Sequence, residues 1–340
     1  MKSRLLCLFL CLSTSASYIY TMDIYKTDRP PVGLVNGGDF GINNRCFINA
    51  VIQCMSNMRI FSDTLLKKAD LYKYGTVARS YINLIQELAV ADSPVDAIPF
   101  CIEAWKTMGF EPNSAQDSSE FFALLCKHLA CIDLHQYLRN QRAVHPAMQL
   151  INLRIAATLN NNGYLEKEPF KDVPFITLNI APGVTSIYDC LDANFKTTTQ
   201  THFGGTYKLE RKVGLDTTPK YCVLFLPRLT TQNPHAKNMT SLSFALDNCS
   251  LKKYVIDKPY YDSTYRLIGC VIHNGTAEGG HFSAYIRRGN AWYLCNDAHV
   301  ERIPNQTMEF AAAVGYGINP GNVEELDEQQ TPVMFFYERN

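Results

Sequence analysis

Cys46 stands where a glycine-rich, turn-prone approach (residues 33–45) gives way to apolar residues at helical spacing, Phe47, Ile48, Val51, Ile52 and Met55. A thiol at a helix start faces unpaired backbone N–H groups and the positive end of the dipole, which favours its thiolate and suits it to nucleophilic attack. The competing use of such a cysteine is as a small buried hydrophobe. Acyl transfer also needs a base and a group that orients the base. Both stand far downstream. His281 follows Gly279 and Gly280 and opens an alternating run, with His281, Ser283 and Tyr285 on one face and Phe282, Ala284 and Ile286 on the other. Residues 287–290 make a polar turn and 292–295 read as the returning strand of a hairpin. The hairpin ends lie side by side, so Asn296 can accept from one ring nitrogen of His281 and leave the other for the thiol.

The elements that must carry these residues fall into two kinds. Helical periodicity is read over residues 46–58, 61–72, 77–91, 96–107 and a fifth stretch ending near 131, which Ser114 or Asp117 can cap. From residue 150 the period shifts towards two, with strands read at 150–156, 175–180, 206–212, 221–226 and 266–273 and a short helix at 187–195. The expected fold class is α+β: a helical lobe over 33–149 bearing the nucleophile and a mostly antiparallel β lobe over 150–340 bearing the base. An extended peptide would thread the cleft between them.

These stretches resemble a known family. Residues 46–53 are similar to the cysteine box of the ubiquitin-specific proteases, and residues 280–285 with 292–297 to their histidine box. In the expected order, residues 116–122 resemble the family's helix start between the boxes, 219–228 its central palm strand and 333–339 its closing strand. The resemblance implies a papain-like cysteine protease with a helical thumb and an antiparallel palm. It also implies that ubiquitin or ubiquitinated proteins are the partners, with cleavage after a C-terminal glycine through a thioester on Cys46. His281 would be the base and Asn296 its orienting partner, with Asp297 competing for that role or standing near the oxyanion. Gln116, Gly280, Phe282 and Tyr285 would contact substrate. The family usually has an Asn five residues before the cysteine, where this chain has Gly41; an insertion or deletion within residues 33–45 could bring Asn36, Asn43 or Asn44 into place. Asn43 is the expected donor, beside the Cys46 backbone N–H. His273 is a rival base without a hairpin partner, and His299 reads as a surface residue. Rival functions are a non-catalytic ubiquitin-binding scaffold and a protease for another ubiquitin-like modifier.

Composition bounds the rest. At 340 residues and 46% hydrophobic content the chain can build a large core, and 32 basic against 32 acidic residues give no charge that would draw nucleic acid. A monomer is expected. None of the 12 cysteines stands as a C-x-x-C pair, whereas family members often hold zinc in their fingers with two such pairs. Reduced fingers, no metal and no cofactor are therefore expected, and a reduced cytoplasmic or nuclear protein. Residues 1–21 point the other way: Lys2 and Arg4 precede an apolar run over 5–12 and then small residues, the layout of a secretory signal, too short to span a bilayer. They read equally as an apolar docking segment or as an extension ahead of a start at Met22, with 22–32 as a linker.

Overall fold

A computed structural model gives the fold and describes residues 29–37, 44–72, 76–110, 114, 116–130, 145–161, 164–167, 171–202, 207–228, 236–256, 263–303 and 330–340. The expected leader and Asn43 lie outside the described residues. Five helices come first: α1 (Cys46–Ser56), α2 (Arg59–Lys67), α3 (Val77–Val90), α4 (Ile98–Met108) and α5 (Ser118–Ala130). Their ends obey local chemistry. The Thr76 hydroxyl accepts from the Arg79 backbone N–H to cap α3, Gly109 ends α4 at φ +76°, and Asp117 Oδ1 accepts the Ser119 backbone N–H at 2.6 Å to start α5. The helix expected over 61–72 is shorter at its far end and begins earlier, because the chain leaves the α path at Lys68 and Tyr72 stacks on His145 instead.

The remainder is strand, with one further helix: β1 (Leu153–Asn161), β2 (Tyr164–Lys167), β3 (Lys171–Val173), β4 (Ile176–Thr177), α6 (Ile187–Asn194), β5 (Thr197–His202), β6 (Tyr207–Leu215), β7 (Tyr221–Phe225), β8 (Cys249–Ser250), β9 (Thr264–Gly275), β10 (Gly280–Arg288), β11 (Ala291–Asn296), β12 (His299–Ile303) and β13 (Gln330–Arg339). The fold class is α+β. An eight-stranded sheet runs β12-β11-β10-β9-β13-β7-β4, with β8 beside β9, and within it only β4 lies parallel to its neighbour, β7. A separate five-stranded antiparallel sheet, β2-β1-β6-β5 with β3 beside β1, stands where reduced fingers were expected. Its missed strand β5 reads Thr-Thr-Thr-Gln-Thr-His, which has strand propensity but no apolar alternation to betray it.

Alternation along the strands of the large sheet builds two cores. Ala284 and Ile286 of β10, Val271 of β9 and Phe336 of β13 face Phe47, Ile52 and Met55 of α1 and Phe121 and Phe122 of α5. Tyr285, Ile272 and Phe335 face the other way, among Leu191, Phe244, Tyr254 and Trp292. All eleven residues of α1 are buried, so this helix is the axis on which the helical lobe meets the sheet. Its contact with β9 is close: a Cβ at Gly269 would lie 3.1 Å from Cys54 Sγ. Among the described residues no helix is long and apolar enough to cross a membrane, no His, Cys, Asp or Glu cluster could hold a metal, and the cysteines are unpaired and buried.

The segment entering α1 is tied down rather than trailing. Pro31 is buried, Gln53 Nε2 donates to the Val32 carbonyl at 2.7 Å, and the Leu34 N–H donates to the Asp297 carbonyl at 2.9 Å. Gly33 makes this approach possible, because a Cβ there would stand 2.2 Å from the Ala298 carbonyl oxygen, a backbone atom that cannot swing away. The substitution Gly33→Ala is therefore expected to destabilise the protein by about 1–3 kcal/mol. Equilibrium urea unfolding measures this, and an unchanged midpoint would show that the approach segment is not held against residue 298.

Candidate active site

Cys46 is the first residue of α1, and the Asn49 N–H donates to the Arg45 carbonyl at 2.9 Å to close the first helical turn. Its side chain is 8% exposed. The exposed part opens on a cleft of about 290 Å³ that Phe47, Gln116, Asp117, Gly279, Gly280 and Phe282 also line. His281 is the second residue of β10, pairs with Asn274 of β9 and lies close enough to the Cys46 side chain for the sulfur to raise its pKa. Its Nε2 lies 2.7 Å from Asn296 Oδ1, at the end of the antiparallel partner strand β11. Asn296 can only accept through that oxygen, so Nε2 carries the proton and Nδ1 is the nitrogen left for sulfur.

A carboxylate stands behind this pair. Asp297, in the left-handed region at φ +50°, places Oδ2 at 3.7 Å from His281 Nε2. Its two oxygens accept from two buried or half-buried amides, Oδ1 from Asn49 Nδ2 and Oδ2 from Asn36 Nδ2, each at 2.8 Å. The Asn36 Oδ1 accepts from the Arg45 backbone N–H at 3.0 Å, and the fully buried Arg45 guanidinium pairs with Asp96 at 2.7 Å and donates to the Gly37 carbonyl. The charge relations leave His281 strongly basic. Its pKa is pushed up to about 9, first by the Cys46 side chain beside it and then by Asn296 and Asp297, against an opposing contribution from burial.

The residues singled out from the sequence divide as follows. Cys46, His281, Asn296 and Asp297 come together, and Gln116, Gly280 and Phe282 line the same cleft. Tyr285 does not: it is buried in the core on the opposite face of the sheet, because it is an odd number of residues from Phe282 on a strand with period two. Asn36 has its amide committed to Asp297 and Arg45. Asn44, at φ +61°, lines the cleft two residues before Cys46. His273 is also on the cleft wall, tilted against Phe282 with ring centroids 4.7 Å apart, and burial, aided by Lys237, pushes its pKa down to about 4. It is therefore neutral at pH 7. His299 has an exposed side chain.

Two residues escaped the sequence reading. Asn49 is a polar residue on an otherwise apolar helix, and that exception was its signal. Lys237 gave none, since it sits in a polar stretch. Its Nζ donates to the His273 and Gly275 carbonyls, each at 2.9 Å, and so pins the turn between β9 and β10 that forms one wall of the cleft.

The profile of a protein family described as Ubiquitin carboxyl-terminal hydrolase matches residues 32–337. Ubiquitin carboxyl-terminal hydrolase 2 of Bos taurus is 23% identical over 322 residues, covering 80% of this chain and 53% of the relative, and its Homo sapiens counterpart is 22% identical over the same shares. Ubiquitin carboxyl-terminal hydrolase 8 of Arabidopsis thaliana is 31% identical over 107 residues, covering 30% of this chain and 12% of the relative. The chain thus spans about half the length of the first two relatives.

The raised His281 pKa has a readable consequence. Because the folded value lies above the ordinary 6.5, the stability that this proton contributes is complete below about pH 6.5 and is lost as pH rises through about 9. An NMR titration of the His281 ring is expected to show its midpoint near 9, moving down in Cys46→Ala, where the largest cause is gone. A midpoint that stays put on removing the sulfur would mean that the two side chains do not interact.

Proposed function

The chain belongs to the ubiquitin carboxyl-terminal hydrolase family, and we propose that it is a cysteine deubiquitinase, hydrolysing the bond between the C-terminal glycine of ubiquitin and an amine. The observation that carries this reading is the closeness of Cys46 to His281, at the wall of an open cleft and with Asn296 on the far nitrogen of the ring. That is the nucleophile–base–orienter arrangement acyl transfer requires.

In the proposed reaction Cys46 Sγ attacks the glycine carbonyl carbon, and the carbonyl π electrons move to oxygen. The resulting oxyanion sits at the α1 N-terminus, where the Cys46 backbone N–H and the Asn44 side chain donate to it. Asn44 is assigned this role because it lines the same cleft as Cys46 and stands two residues before it. The C–N bond breaks as protonated His281 gives its Nδ1 proton to the departing amine, leaving a thioester on Cys46. His281, now neutral, takes a proton from water, whose hydroxide attacks the thioester and releases the glycine carboxylate and the Cys46 sulfur. Asn296 holds the ring throughout, and the nearby Asp297 carboxylate favours its charged form. Gly279 and Gly280 leave room on the cleft wall for a chain that is itself glycine at the cut, and Asp117 and Glu278 give the same cleft acidic groups.

Replacing Cys46 by Ala is expected to abolish cleavage of a ubiquitin–fluorophore conjugate while ubiquitin binding persists. Turnover equal to the parent's would refute the assignment, whereas a parent that binds ubiquitin but never labels with a ubiquitin-based electrophile would indicate the scaffold reading. Asn44→Ala is expected to lower kcat by about 100- to 1000-fold with little change in KM, the effect of losing one oxyanion donor. A change confined to KM would assign Asn44 to binding alone.

A further inference from the structure

Arg45, the residue immediately before the nucleophile, goes against two local preferences. It stands at the cap position of α1, where a side chain that accepts hydrogen bonds is favoured, and a guanidinium can only donate. It is also among the largest fully buried side chains of the protein, and a cation removed from water is costly unless it is paired. A residue that costs local stability at this point needs another reason to be there.

Its contacts supply one. Nη1 donates to Asp96 Oδ1 at 2.7 Å, Nη2 donates to the Gly37 carbonyl, and the backbone N–H donates to Asn36 Oδ1 at 3.0 Å. Asp96 is its one ion-pair partner among the described residues. Cys101 also faces the guanidinium but is neutral, because burial pushes its pKa up to about 12. Asp96 is fixed from both sides. Its Oδ1 accepts the Ile98 N–H at 3.0 Å, at the start of α4. Its neighbour Val95 is bonded through the backbone to the approach segment, the Val95 N–H donating to the Gly33 carbonyl and the Val35 N–H to the Val95 carbonyl, each at 2.9 Å. A half-exposed carboxylate thus anchors a buried cation that joins the start of the nucleophile's helix to residues 36 and 37.

Asn36 carries the constraint to the reacting groups. A side-chain amide has one accepting end and one donating end. With Oδ1 committed to the Arg45 N–H, Nδ2 faces the other way and donates to Asp297 Oδ2 at 2.8 Å. That oxygen is the one 3.7 Å from His281 Nε2, while Asn49 holds the other oxygen of the same carboxylate.

We infer that Arg45 is a positioning residue for the cysteine chemistry proposed above: paired with Asp96 it fixes Asn36, whose amide aims the Asp297 carboxylate at the His281 ring. Its effect on the ring passes through Asn36 and Asp297. The kinetic consequence rests on the deubiquitinase reading; the effect on the imidazole does not.

The test therefore pairs kinetics with a readout that needs no substrate. In Arg45→Met, which keeps a long apolar stem and removes the charge, kcat on a ubiquitin–fluorophore conjugate is expected to fall by about 10- to 100-fold with KM little changed, the effect of misplacing a group through residues remote from the reacting atoms. The midpoint of the His281 ring titration, followed by NMR, is expected to move down, by less than in Cys46→Ala, because Asp297 raises it less than the sulfur does. Asn36→Ala is expected to bring the same pair of changes, and the double variant Asn36→Ala/Arg45→Met to be no slower than Asn36→Ala alone, since the two residues act in one line. Arg45→Lys keeps a charge for Asp96 but cannot fork between two acceptors, and is expected to recover part of the lost rate. Asp96→Asn, which retains the acceptor and the size of the side chain at a half-exposed position, covers the case in which Arg45→Met does not fold, and is expected to move the His281 midpoint in the same direction. A purely structural Arg45 would lower the urea midpoint yet leave kcat of the folded protein and the His281 midpoint where they are, and that result would overturn the inference. So would a double variant whose loss is the product of the two single losses. A parent protein that does not cleave the conjugate would count against the deubiquitinase reading, and the His281 titration would still decide the role of Arg45.

Discussion

Two segments some 250 residues apart in sequence converge on the carboxylate of Asp297, which takes one hydrogen bond from Asn49 on α1 and one from Asn36 on the approach loop. Its backbone carbonyl takes a third, from Leu34. Anionic oxygens removed from water need donors, and here the donors come from the helical side while the acceptor belongs to the end of β11. Satisfying one charge therefore docks the nucleophile's helix against the base's hairpin. The left-handed backbone at Asp297 is what turns the chain so that Asn296 faces the histidine while its neighbour faces the amides.

The helix and the sheet make this docking stiff. Every residue of α1 is buried, Gly269 admits its closest approach to β9, and Asn57 closes the far end by donating to carbonyls of two adjacent strands. Sulfur and imidazole are thus positioned by contacts at both ends of the same helix. Local chemistry can then be modest: the Cys46 side chain first, then one amide and one nearby carboxylate, keep the imidazole charged well above the pH at which it ordinarily loses its proton.

What the residues alone disclosed, and what they hid, follows from range. Helices α1 and α3 to α6 and strands β7, β9, β10 and β11 were visible because apolar periodicity is local and strong. The Cys46, His281 and Asn296 constellation was visible because a hairpin of that length has only one way to close. The five-stranded sheet was read only in part: its two central strands, β1 and β6, overlap stretches read as strands, whereas β2 and β3 were not read and β5 is polar throughout, with no alternation to betray it. Tyr285 was misplaced among the cleft residues because an aromatic next to a motif attracts a functional reading, although its parity along β10 already put it opposite Phe282. The ties made by Asn36, Asn49 and Lys237 are long-range polar contacts, and no local pattern reports those.

The position of β13 carries a consequence for how the molecule comes into being. This strand lies between β9 and β7, so those two become joined only when residues 330–339 are inserted. Until then each presents a bare edge of unpaired backbone, and the face on which the helices rest is split down its length. Assembly is thus governed by late, non-local pairing, which is slow and leaves the half-made sheet exposed to other chains. A nascent polypeptide can fold its helices early yet has no complete platform to set them on until that last strand arrives, and a break in the chain ahead of residue 330 would leave a sheet with a seam open through its middle.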